Sequence, residues 1–106
     1  MNNFDNQVIR NAMEVLVADE VNRQISDYSQ STTTCINSLE VIGYALNRLP
    51  SLYASSEEGF IYQKFKGELT LETKIKATVK EAFTVIFQEP HRSFKPLTQL
   101  TPEEIT

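Results

Sequence analysis

Three glycines, one cysteine and no tryptophan in 106 residues set the first limits on this chain. So few Gly leave no Gly-rich phosphate loop and do not suit a strand-and-turn fold with many tight corners. One Cys excludes an intramolecular disulfide and a Cys-cluster metal site. The lone histidine, His91, sits between Pro90 and Arg92 and has no orienting partner in the pattern around it, so no His-based catalytic set is expected. No apolar run approaches the roughly 20 residues of a membrane span. Met1-Asn2-Asn3-Phe4-Asp5 lacks the basic-then-apolar pattern of a secretory signal. No membrane association and a cytoplasmic location are the expectation.

What is present suits one globular domain: 41% hydrophobic residues, 23% charged, six Phe and four Tyr. A net charge of −4 works against attraction to nucleic acid, so DNA is not an expected partner. The charge is uneven, however. Lys64, Lys66, Lys74, Lys76 and Lys80 outweigh Glu68 and Glu72 over residues 60–80, which leaves room for a local anion site.

Apolar spacing of three and four residues predicts helices throughout, and no period-two alternation is sustained. The first helix is expected over residues 4–27, with Ile9, Ala12, Met13, Leu16, Val17 and Ile25 on its buried stripe. Ser29–Thr34 reads as a loop. Asn37 with Glu40 three residues later is a capping-box pattern that opens a second helix. Leu39, Ile42, Ala45, Leu46 and Leu49 form its face, and Pro50 ends it. Leu49–Ala54 is too apolar for a solvated linker and reads as an extended crossing that stays packed. A long third helix is expected from Ser55 or Ser56, with Glu57 and Glu58 favouring its positive end. Its stripe is Ile61, Phe65, Leu69, Ile75, Val79, Ala82, Phe83 and Ile86, weakened by Gly59 and Gly67, and it stops at Pro90. The fold class is therefore all-α: two shorter helices and one long C-terminal helix. Residues 1–90 form the domain and 91–106 an extended, Pro-containing tail. The long helix outreaches its partner helices, so its outer apolar positions predict an intertwined homodimer.

No nucleophile, base and oxyanion set is visible, and an enzyme is not expected. Cys35 reads as an inert thiol, and Asp19-Glu20 and Glu57-Glu58 as surface charge, since adjacent helical positions diverge by about 100°. Tyr44, Phe60, Tyr62 and Phe65 read as core aromatics before a stacking platform. One segment stands out. Asn47 and Arg48 close an apolar helix, Pro50 stiffens the turn between Leu49 and Leu52, and Tyr53, Ser55 and Ser56 lead into the next helix. In the plainer reading Arg48 compensates a helix dipole and Asn47 helps the stop. In the functional reading Arg48 offers a fork to phosphate or to guanine, Tyr53 a stacking face, and the amides around Ser55 and Ser56 a phosphate cradle. Residue chemistry alone does not separate the two.

The run Ala45-Leu46-Asn47-Arg48-Leu49-Pro50, continued by Leu52-Tyr53-Ala54-Ser55-Ser56-Glu57-Glu58-Gly59, resembles the late-competence ComFB-like proteins of the cyanobacterial type. Asn11–Val21, Gly67-Glu68-Leu69, Lys80–Phe83 and Glu89-Pro90 extend the similarity over about residues 8–97. The resemblance implies a helical, dimeric, non-catalytic receptor for a cyclic dinucleotide. Cyclic di-GMP is the first candidate ligand and cyclic di-AMP the second, with no cofactor. It also implies a downstream protein partner, such as a transcription regulator, in competence, pilus or cell-size control. The implied ligand region is Asn47–Ser56, across the dimer interface, with Glu40, Tyr44 and Lys64 as secondary candidates. The loop 31–36 holds one thiol where another branch of the family has a Cys cluster, so no zinc is expected. Ser51 replaces an expected second Pro, and Phe60–Lys64 diverges. The competing reading is a ligand-free helical dimerisation adaptor.

Overall fold

Asn11 starts the first helix by accepting the N–H of Met13 on its side-chain oxygen at 3.1 Å. The helix it caps, α1 (Ala12–Ile25), is the centre of the fold. The structure, a computed structural model, describes residues 7–28, 30 and 36–88. Residues 4–6 of the expected first helix, Cys35, the loop over 29–34 apart from Gln30, the stop at Pro90 and the tail 91–106 lie outside the described residues.

After α1 come α2 (Ser38–Leu46), α3 (Glu57–Thr70) and α4 (Glu72–Phe87), with a two-residue antiparallel ribbon of β1 (Arg10–Asn11) and β2 (Tyr53–Ala54). The ribbon is too short for period-two alternation to show, which is why the sequence reads as all-helical there. Helix α1 packs against α2, α3 and α4, and α2 packs against α4. The core they share is Met13, Leu16, Val17 and Val21 of α1, Val41 and Ala45 of α2, and Ile75, Val79, Ala82 and Phe83 of α4. Tyr28 leans on Phe83 and Phe87, each ring centre 4.9 Å away, and closes one end. The Gln24 amide donates to Lys76 O at 3.0 Å and to Glu20 Oε2 at 2.7 Å, joining α1 to α4. Burial of Glu20 acts to raise its carboxyl pKa, but hydrogen bonds from Arg23 and Gln24, with the charges of Arg23 and Lys76, hold it below the ordinary range.

The packing corrects several sequence expectations. The first helix begins at Ala12, not residue 4; Ile9 is exposed in the strand-like lead-in, and Val21 is buried in its place. Asn37 caps α2 through the N–H of Leu39 at 2.8 Å, as the capping pattern anticipates. Its buried face is Val41 and Ala45, leaving Leu39 71% exposed, and the helix stops at Leu46, before Pro50 is reached.

The largest correction is the long third helix, which is two helices that turn a corner at Leu71 (φ −121°, ψ 8°). On one continuous helix Ile61, Phe65, Ile75 and Val79 would share a face. The corner breaks that register. Ile75 and Val79 point into the core, while Ile61, Phe65 and Leu69 are 67%, 60% and 68% exposed. The face of α3 turned toward α1 instead carries Gly67. A Cβ there would come within 2.5 Å of Leu16 Cδ1 and 2.8 Å of Leu52 Cδ1. Both leucines are buried, so they have little room to yield.

Two glycine substitutions should therefore differ in sign. Gly43 has nothing within 4 Å of an added Cβ, so Gly43→Ala should stabilise by about 0.5–1 kcal/mol through helix propensity. Gly67→Ala should destabilise by about 1 kcal/mol, overpacking outweighing the same propensity gain. Urea denaturation of the two variants beside wild type measures both.

Candidate ligand-binding site

The segment 47–56 is held at both ends and in the middle. Helix α2 ends at Asn47, whose N–H still bonds back to Gly43 O at 3.1 Å. Arg48 folds back over its own helix: its guanidinium carbon lies 3.4 Å from the Tyr44 ring centre, and Nη1 donates to Tyr44 O at 3.0 Å. That is the helix-closing role of the plainer reading. Four of the five N–H donors of Arg48 and its outer face remain beyond that bond, on an exposed residue.

Leu49 and Leu52 are buried and anchor the crossing, with Pro50 and Ser51 exposed between them. The packed crossing expected from its apolar composition is thus present. Asn11 fixes its far side. The same Oδ1 that caps α1 accepts Leu52 N–H at 2.7 Å, and Ala12 N–H donates to Leu52 O at 2.8 Å. Tyr53 stands half out of the surface with its backbone in β2, and its carbonyl accepts the Gln63 amide of α3 at 3.1 Å. Ser55 and Ser56 then deliver the chain to α3. Ser56 caps that helix, its Oγ accepting Gly59 N–H at 3.0 Å. The N–H groups of Glu57 and Glu58 are among the four that a helix start leaves without an intrahelical partner.

Beside this helix start lies an open cleft of about 560 Å³, within the span of small-molecule sites, about 300–1,000 Å³. It is lined by Arg10, Ser55, Ser56, Glu57 and Phe60, with apolar Val8 and Ile61. Of the site residues expected from sequence, only Ser55 and Ser56 line it; Asn47, Arg48, Leu49, Pro50, Leu52 and Tyr53 do not. Glu40 and Tyr44 are half-buried on α2. Lys64 lies on α3 with its ammonium 3.9 Å from Glu68. Among the four aromatics expected in the core, Tyr44 and Phe60 pack against it, whereas Tyr62 and Phe65 are exposed.

Arg10 is the residue that sequence reasoning misses. Its guanidinium carbon lies 4.7 Å from the centre of the Phe60 ring, a cation–π contact between two residues that line the cleft. Nothing local marks it, since its partners lie on a segment brought beside it only by the β1–β2 pairing of Arg10 with Ala54. Its position one residue before the Asn11 cap is the only usable sign.

Residues 10–90 match the family described as late competence development protein ComFB. The chain belongs to the ComFB family. The ComFB match opens at Arg10 and contains α1 through α4, so the cleft residues from Arg10 onward all fall inside it. A comparison with curated proteins finds no match. No helix among the described residues is long and apolar enough to cross a membrane.

Replacing Asn11 tests whether the segment depends on this joint. Asn11→Ala removes a helix cap and strands Leu52 N–H, so a loss of about 2 kcal/mol is expected. Denaturation measures that loss. Hydrogen exchange should show faster exchange at Leu52 than at Val17, deep in α1.

Proposed function

We propose that this ComFB-family chain is a non-catalytic cytoplasmic receptor for a cyclic dinucleotide, cyclic di-GMP first and cyclic di-AMP second. It works as a homodimer and passes the signal to a protein partner such as a transcription regulator, in competence, pilus or cell-size control. The observation that carries the reading is the pinned 49–56 crossing, which brings Ser55, Ser56 and the start of α3 to an open cleft. Free N–H groups at a helix start suit a phosphate. Half-exposed Tyr53 offers a ring face for a base, and exposed Arg48 keeps donors for a second phosphate. A segment already held in shape loses little freedom when the ligand arrives.

Dimerisation is supported by α3. Ile61, Tyr62, Phe65 and Leu69 give its outer side more apolar surface than a lone solvated helix carries, and a second copy covers it. The same stripe favours the second reading, a dimerisation adaptor without a ligand.

Calorimetric titration with each dinucleotide separates the two. Heat and a rise in melting temperature with at least one of them are expected. No heat and no shift at about 100 µM of either leaves the adaptor. Arg48→Ala should weaken binding by about 1.5–3 kcal/mol, the range for a hydrogen bond to a charged group. Sedimentation should give a dimer at micromolar concentration. Phe65→Asp combined with Leu69→Asp should give a folded monomer, and an unchanged dimer would place the interface elsewhere.

A further inference from the structure

We infer that Gln63 couples the crossing at Leu52–Tyr53 to the outer face of α3; this deepens the receptor reading above and rests on it. Gly59, Gln63 and Gly67 recur at four-residue steps and so share one side of α3. That side is turned to the crossing. A Cβ on Gly59 would lie 2.9 Å from Ser56 Oγ and 3.5 Å from Ala54 Cβ, and one on Gly67 would lie 2.8 Å from Leu52 Cδ1. Between the two glycines the Gln63 amide donates to Tyr53 O at 3.1 Å. Glycines present no side chain to interlock, so they leave this contact free to shift by small amounts. The directional element between them is the Gln63 bond.

Two adjacent residues of the crossing are held with different firmness. Leu52 is buried, and both its N–H and its carbonyl are bonded, to Asn11 and Ala12. Tyr53 is 55% exposed, and its carbonyl is held by a rotatable glutamine side chain. The other end of that amide is unsatisfied: Gln63 Oε1 is buried and has no hydrogen-bond partner among the described residues. A buried acceptor without a partner carries a desolvation cost, which offsets the bond made by Nε2. The closed arrangement, with Nε2 on Tyr53 O, therefore lies close in free energy to an open one in which the amide turns to solvent. A ligand that stacks on Tyr53 and fixes the crossing favours the closed arrangement, because the open one frees the residue that the ligand contacts. Tyr62 and Phe65 flank Gln63 along the helix and are exposed, so the state of the tie is carried by α3 to its apolar outer side.

The test is hydrogen exchange on the full chain at the amides of residues 64–70, with and without cyclic di-GMP or cyclic di-AMP. These residues lie beyond the lining of the cleft, which reaches Ile61. Ligand should slow wild-type exchange there about fivefold or more, the lower end of typical coupling between sites. Gln63→Met and Gln63→Leu remove the donor at similar volume, and melting temperatures check that each folds. Both should bind ligand within about threefold of wild type, while the slowing falls below about twofold. A purely structural loss would speed exchange with and without ligand and leave their ratio unchanged. Gln63→Lys keeps a donor within reach of Tyr53 O and should restore the slowing. Full slowing in the Met and Leu variants, or a wild type that binds ligand without any slowing, would overturn the coupling and leave the receptor reading standing. Loss of ligand binding in both variants would also overturn it, since Gln63 would then act on affinity. A wild type that binds neither ligand would remove both.

Discussion

A single side-chain oxygen, Asn11 Oδ1, accepts backbone N–H groups from Met13 and from Leu52, which is 41 positions further along the chain. The rest of the site depends on that double acceptance. One bond starts α1, and the other ties the crossing that follows α2 to the same point. Because Ala12 N–H also donates to Leu52 O, the two segments run as a short ribbon and cannot slide past each other. The ribbon then sets Arg10 beside the segment that leads into α3, where both line the cleft. A buried amide left without a partner is costly, so the joint is enforced by desolvation more than by the strength of either bond.

The corner at Leu71 is the second constraint, and it divides the labour between the two halves of the C-terminal region. Helix α4 is held as a core element through Ile75, Val79, Ala82 and Phe83. Helix α3 meets the core through Gly67, close to Leu16 and Leu52, and through Phe60, which also carries the ring under Arg10. Its opposite side is left apolar and open. One helix therefore lines the cleft, is tied to β2 through Gln63, and carries an exposed apolar outer surface. In the proposed receptor, occupancy of the cleft and contact with a partner would bear on the same short helix.

Local chemistry was legible in the chain. Asn37 and Ser56 act as caps, the crossing at Leu49–Ala54 is packed, and Met13, Leu16 and Val17 face the core, because each depends on neighbours within a few positions. In the stripe from Ile61 to Ile86 the second half, from Ile75, faces the core and the first half does not, because periodicity measures phase along a helix and carries no information on where that helix bends. Once α3 and α4 part at Leu71, the same spacing puts Phe65 in solvent and Val79 in the core. The site divides in the same way. Ser55 and Ser56 were marked by their place before a helix, whereas Arg10 was not, since its ring partner Phe60 is remote in sequence.

Composition and spacing by themselves determined that this is a helical chain with few Gly, one Cys, and a stiff Asn-Arg-Leu-Pro turn leading to a Ser-capped helix. Those properties arise from bonds and rotations within a turn or two, where sequence and geometry correspond closely. Tertiary structure alone decided which side of α3 faces out, and that Arg10 and Glu57 share a cleft. These outcomes come from packing among segments distant in sequence, where the available volume around Gly67 and the pairing of two short strands select one arrangement from many.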